Sequence, residues 1–126
     1  MQNILYNFVL INKQMAKSNY VKGKRSFESL YKKEAPFLVF LTSKKCGPCF
    51  RLKPQLERTV KETGVKLVEI DSSNREICEL LGRNGTPIVF FIKNKVILKK
   101  IEGCHNRCDY KDAIINLFEL ELTPKL

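Results

Sequence analysis

The 126-residue sequence predicts one α/β domain: a mixed central sheet with helices on both faces. Three observations predict it. Two continuous apolar runs, residues 37–41 (FLVFL) and 87–92 (PIVFFI), read as strands covered on both faces. Segments of helical period, apolar on one side and charged on the other, lie between and after these runs. Asn94 then sits in a tight turn joining the second run to residues 96–102 (VILKKIE), which reads as a hairpin. The length suits a single core that needs no disulfide staples.

Taken in order, residues 1–20 are set apart as an N-terminal extension, a candidate accessory element or targeting segment, and 21–126 as the domain. Residues 26–33 form a short helix with Ser26 as candidate N-cap and Phe27, Leu30 and Tyr31 inward. After the first apolar strand, residues 51–62 return to helical spacing, with Leu52, Leu56 and Val60 on one face. Pro54 should kink that helix and Gly64 should end it. Residues 65–71 alternate as a strand, and 73–82 make a short helix with a polar start and a glycine end. The strand at 87–92 and its hairpin partner follow. Residues 109–121 close the chain as a helix, with Tyr110, Ala113, Ile114, Leu117 and Phe118 inward. From the first apolar run onward the order is β-α-β-α-β-β-α, with room for one earlier strand. No repeat or low-complexity linker divides it.

The net charge of +10 is compatible with nucleic acid, anionic membrane or acidic protein partners, and equally with a plain lysine-rich solvated surface. No nucleic-acid motif accompanies it, so no nucleic-acid partner is expected. No apolar run reaches spanning length, so no membrane role is expected. Residues 4–11 (ILYNFVLI) lack the flanks of a signal peptide. Residues 1–25 carry Lys13, Lys17, Lys22, Lys24 and Arg25 and no acid, which leaves an organelle transit peptide open; Met15 is an alternative start. The expectation is a cytoplasmic monomer, with mitochondrion or plastid as the alternative. Five cysteines (Cys46, Cys49, Cys78, Cys104 and Cys108) are an odd number in a chain that does not need them for stability. This points away from a secreted scaffold and toward catalytic or metal-binding thiols in a reducing compartment.

The stretch SKKCGPC, residues 43–49, is open to three readings: a redox dithiol, half a metal site, or two thiols that happen to be close. A strand ends just before it and a helix starts just after. Cys46 therefore sits at a helix N-terminus, where unpaired N–H groups and the helix dipole stabilise a thiolate. Thiolate is the form that attacks a disulfide. Cys49, one turn later, is placed to resolve the mixed disulfide. Pro48 suits the first helical turn, and Gly47 lets the chain bend.

These residues resemble the thioredoxin active site. CGPC is that family's usual tetrapeptide, and three further positions match. Pro54 stands five residues after Cys49, at the family's helix-kinking proline. Thr86-Pro87 opens a strand where the family has its cis-proline, and Gly103 follows the last strand at the groove glycine. Together they cover about residues 21–122. The resemblance implies a thioredoxin fold, with Cys46 as nucleophile and Cys49 as resolving thiol. It further implies a substrate groove shaped by Thr86, Pro87, Gly103 and the adjoining Cys104, in which an extended peptide pairs with the Thr86 backbone. Read alone, Pro87 would be an ordinary proline at the first residue of a strand.

Three departures stand out. The family's tryptophan before the first cysteine is replaced by Lys45, preceded by Lys44, and the chain has no tryptophan. Two ammonium groups there are expected to lower the Cys46 pKa, with a potential similar to or somewhat less reducing than the family's roughly −270 mV. As solvated loop residues they would do little. The family's buried acid, six residues before the first cysteine, is Phe40 here, and its companion lysine is Leu67. Proton transfer from Cys49 must then use water or another group, and resolution is expected to be slower. Finally, GCHNRC (residues 103–108) places Cys104 beside the groove. Cys104 and Cys108 are candidates for a second redox pair, for a zinc site with Cys46, Cys49 and His105, or for free thiols; no metal is assigned. His105 reads as a loop residue, and Cys78 as a small core residue.

The function expected is thiol–disulfide exchange on disulfide-containing protein substrates, with no bound cofactor and a thioredoxin-reductase-like electron donor. The alternative is a thioredoxin-fold binding or scaffold protein, docking partners by its basic surface with incidental thiols.

Overall fold

The computed structural model describes residues 19–82 and 85–119. Among these residues five strands and four helices follow in the order β1 (Tyr20–Lys22), α1 (Lys24–Lys32), β2 (Phe37–Thr42), α2 (Gly47–Thr63), β3 (Lys66–Asp71), α3 (Arg75–Leu81), β4 (Ile88–Lys93), β5 (Val96–Glu102) and α4 (Arg107–Phe118). The sheet order is β1-β3-β2-β4-β5. β1, β3 and β2 are mutually parallel, while β4 runs antiparallel to β2 and to β5. This is the mixed sheet with helices on both faces that the pattern predicts. The N-terminal residues 1–18 lie outside the described residues, and with them the apolar stretch at 4–11, Met15 and the transit-peptide reading. Residues 120–121 of the last expected helix do too.

The apolar runs are continuous because each strand has a core on both sides. Along β2, Leu38 and Phe40 join one cluster while Phe37, Val39 and Leu41 join the other. β4 divides likewise, Val89 and Phe91 against Ile88, Phe90 and Ile92. Successive side chains alternate faces, so a doubly covered strand shows no polar position. The first cluster is closed by Leu52, Leu56 and Val60 of α2 and by Tyr110, Ala113, Ile114 and Phe118 of α4. The second is closed by Phe27 of α1 and by Ile77, Cys78 and Leu81 of α3. Cys78 is the buried core residue expected, and burial pushes its thiol pKa up.

Three helix starts differ from the sequence reading. α1 begins at Lys24, with Gly23 rather than Ser26 at its N-cap. Gly23 takes φ 97°, a region glycine enters without Cβ strain, and its carbonyl accepts the Phe27 N–H at 3.2 Å. Ser26 instead donates its hydroxyl to the Lys22 carbonyl. α2 begins at Gly47, not at residue 51, and runs as one helix through Pro54 to Thr63. α4 begins at Arg107, because the Asn106 carbonyl already accepts the Asp109 N–H. The turn between β4 and β5 is Asn94-Lys95, both at positive φ (54° and 64°), the two-residue form that matches strand twist. Gly64 caps α2 in the left-handed conformation, φ 75°.

Candidate active site

The sheet topology gathers one group of loops at one end. β2 leads into the dithiol from Thr42, which pairs in register with Asp71 at the end of β3. β4 runs the other way, so its first residue, Ile88, pairs with Leu41 on one side and with Glu102 on the other. Thr86-Pro87 and Gly103-Cys104 therefore flank the same sheet end as Cys46. The Thr86–Pro87 peptide is cis. The Gly103 N–H donates to the Pro87 carbonyl at 2.9 Å, which ties the two loops together. Gly103 sits at φ 84°, where a side chain would be strained.

Cys46 is the N-cap of α2, in extended backbone, and its Sγ accepts the Cys49 N–H at 3.2 Å. The two cysteines are joined as a disulfide with Cα atoms 5.3 Å apart. Both are nearly enclosed, Cys46 at 7% and Cys49 at 3% exposure, and both join the cluster that contains Phe40 and Leu67. Gly47 and Pro48 form the exposed rim. Gly47 is not in the left-handed region, and a Cβ there would meet nothing within 4 Å. The turn itself thus does not demand glycine. Lys44 and Lys45 are exposed in the preceding turn. Asp71, held below the usual carboxylate range by bonds from Ser73 and in smaller part by the Lys44 charge, lies on the same side.

Thr86 is half-buried and Pro87 buried, beside the exposed Cys104. Cys104 and Cys108 are both free and exposed. Among the described residues no three His, Cys, Asp or Glu side chains converge as a metal-binding group. His105 is a loop residue, its ring 3.6 Å from the Asp109 carboxylate and 2.8 Å from the Glu102 carbonyl.

Three functional neighbours escaped the sequence reading. Tyr110 is fully buried; its hydroxyl donates to the Gly103 carbonyl and accepts the His105 N–H, both at 3.2 Å. It thereby fixes the loop that carries the groove glycine. Glu69 is the register neighbour of Phe40 on β3. It accepts from the Tyr20 hydroxyl at 2.6 Å and pairs with Lys53 at 3.5 Å. Positions 40 and 67 are apolar, as the sequence shows, and a separate ion pair, Glu69 with Lys53, lies one helical turn beyond Cys49. The third is Phe50, directly after Cys49 and 68% exposed. Phe50 was visible as an apolar residue off the Leu52–Leu56 face. The Tyr110 and Glu69 contacts depend on strand register and loop path and carry no local signal.

A dithiol that closes to a disulfide at a helix N-terminus, beside a cis-proline loop on a mixed sheet, defines a protein of the thiol–disulfide exchange class. The chain belongs to the thioredoxin family, whose profile matches residues 18–116. It is similar to NADPH-dependent thioredoxin reductase 3 of Arabidopsis thaliana, 43% identical over 98 residues, which cover 74% of this chain and 18% of that protein. The chain thus matches only a small part of that relative's length. It is also similar to a disulfide bond formation protein of Brevibacillus choshinensis, 29% identical over 86 residues, covering 64% of this chain and 68% of that one. Among solved structures, a mutant thioredoxin from Halobacterium salinarum superposes with a TM-score of 0.71 at 24% identity, covering 83% of this chain and 92% of that chain. Oxidised thioredoxin O2 from Arabidopsis thaliana gives 0.69 at 21% identity, covering 81% and 96%. These two likenesses establish the fold.

Proposed function

We propose that this protein reduces disulfides in protein substrates through Cys46 and Cys49. The observation that carries the proposal is the Cys46–Cys49 pair itself, closed as a disulfide with Cys46 at the N-cap of α2. In the reduced protein the Cys46 thiolate receives the Cys49 N–H and the positive end of the helix dipole, which favour the anion. Lys44 and Lys45 add positive charge at the same turn, weakened by solvent. The Cys46 thiolate attacks one sulfur of the substrate disulfide; an S–S bond forms to Cys46 and the other substrate sulfur leaves as a thiolate. Cys49 loses its proton and attacks Cys46 Sγ. The Cys46–Cys49 bond forms, and the second substrate thiol departs. Two electrons and two protons have passed from the dithiol to the substrate.

The groove is made by Thr86, Pro87 and Gly103, with Cys104 at its margin. An extended substrate segment lies there by backbone pairing. Regeneration needs an external two-electron donor, and we assign this to an NADPH-dependent reductase of the thioredoxin-reductase class. The support is the 43% identity to part of a protein carrying that name. A reducing compartment fits the free thiols Cys78, Cys104 and Cys108; fractionation of cells expressing the tagged full chain checks this.

Reduction of insulin by dithiothreitol tests the proposal. The wild-type protein should accelerate precipitation of the insulin B chain, and Cys46→Ser should abolish the acceleration. A wild-type protein with no effect on insulin would favour a role in binding alone.

A further inference from the structure

Phe50 is the most exposed large apolar side chain among the described residues, at 68%, and belongs to neither apolar cluster. It occupies the fourth position of α2. An apolar residue there commonly packs on an apolar residue just before the N-cap, but that position is the exposed Lys45. Phe50 is thus held by no staple contact with Lys45 and stays mostly exposed, directly after Cys49 of the disulfide. Along the chain on both sides of it the charge has one sign. From Thr42 to Leu56 the sequence contains Lys44, Lys45, Arg51 and Lys53 and no acid. Lys53 is engaged with Glu69 and lies over the Tyr20 ring. Lys44, Lys45 and Arg51 are exposed, and Asp71, at the same end of the sheet, accepts from Ser73 and feels the Lys44 charge.

We propose that Phe50, ringed by Lys45 and Arg51, selects protein substrates that carry an apolar side chain flanked by carboxylates two residues from the cysteine under attack. The inference rests on the exchange activity proposed above and names its substrate class. The spacing follows from geometry. Cys46 and Phe50 are four residues apart on a helix, a rise of about 6 Å. Two residues of extended chain span about 7 Å, and residues two apart share a face. A substrate cysteine over Cys46 thus brings the side chain two positions along over the Phe50 ring. The residues on either side of it point to the other face of the extended chain, so their charges act on the basic rim only through its field, which favours carboxylates and repels ammonium groups.

The test uses three synthetic peptides, each oxidised to its disulfide-linked homodimer, with Cys-Asp-Leu-Asp, Cys-Ser-Gly-Ser or Cys-Lys-Leu-Lys as the reacting segment. Each is reduced by catalytic amounts of the full chain, with dithiothreitol as donor. The acidic apolar peptide should exceed the Ser-Gly-Ser peptide in kcat/KM by about tenfold, mainly through KM. Phe50→Ser should bring that ratio to about two or below, and Arg51→Glu should erase the advantage over the Lys-Leu-Lys peptide. Ratios taken within one variant cancel any loss of folded protein. Equal rates for the three wild-type reactions, or a Phe50→Ser ratio as large as wild type, would overturn the proposal and leave the exchange activity standing. Failure of the wild type to reduce any of the peptides would overturn both.

Discussion

Phe40 shows what a single residue does at this site. It is fully enclosed and shares a cluster with both cysteines, so the reaction face has a dry floor where the resemblance places an acid. A dry floor stabilises the fold but leaves no proton acceptor at position 40 itself, and the carboxylate beside it in register, Glu69, is engaged by Tyr20 and Lys53. Phe40→Asp should therefore speed the resolving step, seen by stopped-flow release of the second substrate thiol. It should also cost roughly 3–5 kcal/mol of stability, since a large ring is lost and a lone carboxylate is buried. A rate that is unchanged or slower contradicts this account of proton transfer. Cys46 was legible from its place between a strand and a helix. Pro87 and Gly103 were legible only through the family resemblance, since alone Pro87 is an ordinary proline at a strand start. Glu69 and Tyr110 could not be read, because each acts through a partner on another strand or in a loop that the local sequence does not point to.

At the scale of elements, strands and helix faces were legible and helix starts were not. The paired apolar runs of β2 and β4 have few interpretations, whereas α1 is capped by Gly23, which carries no polar capping side chain, and α2 starts at Gly47, four residues before its helical spacing becomes apparent. α4 matters beyond packing, since Tyr110 bridges its first turns to the loop at residues 103–105. Tyr110→Phe should lower stability by about 1 kcal/mol. Hydrogen exchange at His105 should rise with it, because its amide loses the acceptor. An unaltered His105 amide would show that Tyr110 does not hold this loop. Within the same core, Leu56→Ala in α2 should cost about 2–5 kcal/mol in denaturant unfolding, as a fully enclosed leucine leaves a cavity. A cost well below this range would mean that the helix settles onto the sheet.

At the scale of the described molecule, β2 and β4 are covered on both faces while β5 is largely exposed, and the buried Tyr110 and half-buried Tyr20 make stability fall at alkaline pH. Tyr110 has its phenol pKa raised, chiefly by burial. Tyr20 is raised by burial and then by the Glu69 carboxylate. Both stay protonated in the fold at pH values where the unfolded chain, titrating near its ordinary value of about 10, has lost these protons. The unfolded state then binds fewer protons, so stability is fully present below about pH 10 and falls as pH rises above it. Urea unfolding of wild type against Tyr20→Phe with Tyr110→Phe measures this. The double variant should lose less stability per pH unit above about pH 10. Equal slopes would show that the two phenols ionise alike in both states.

Direct capture of the reacting sulfur tests the central claim most closely. The Cys49→Ser protein, incubated with an oxidised disulfide peptide, should accumulate a mixed disulfide that peptide mapping by mass spectrometry locates on Cys46. Addition of dithiothreitol should release it. An adduct found on Cys104 or Cys108 in place of Cys46, or no adduct at all, would contradict the account.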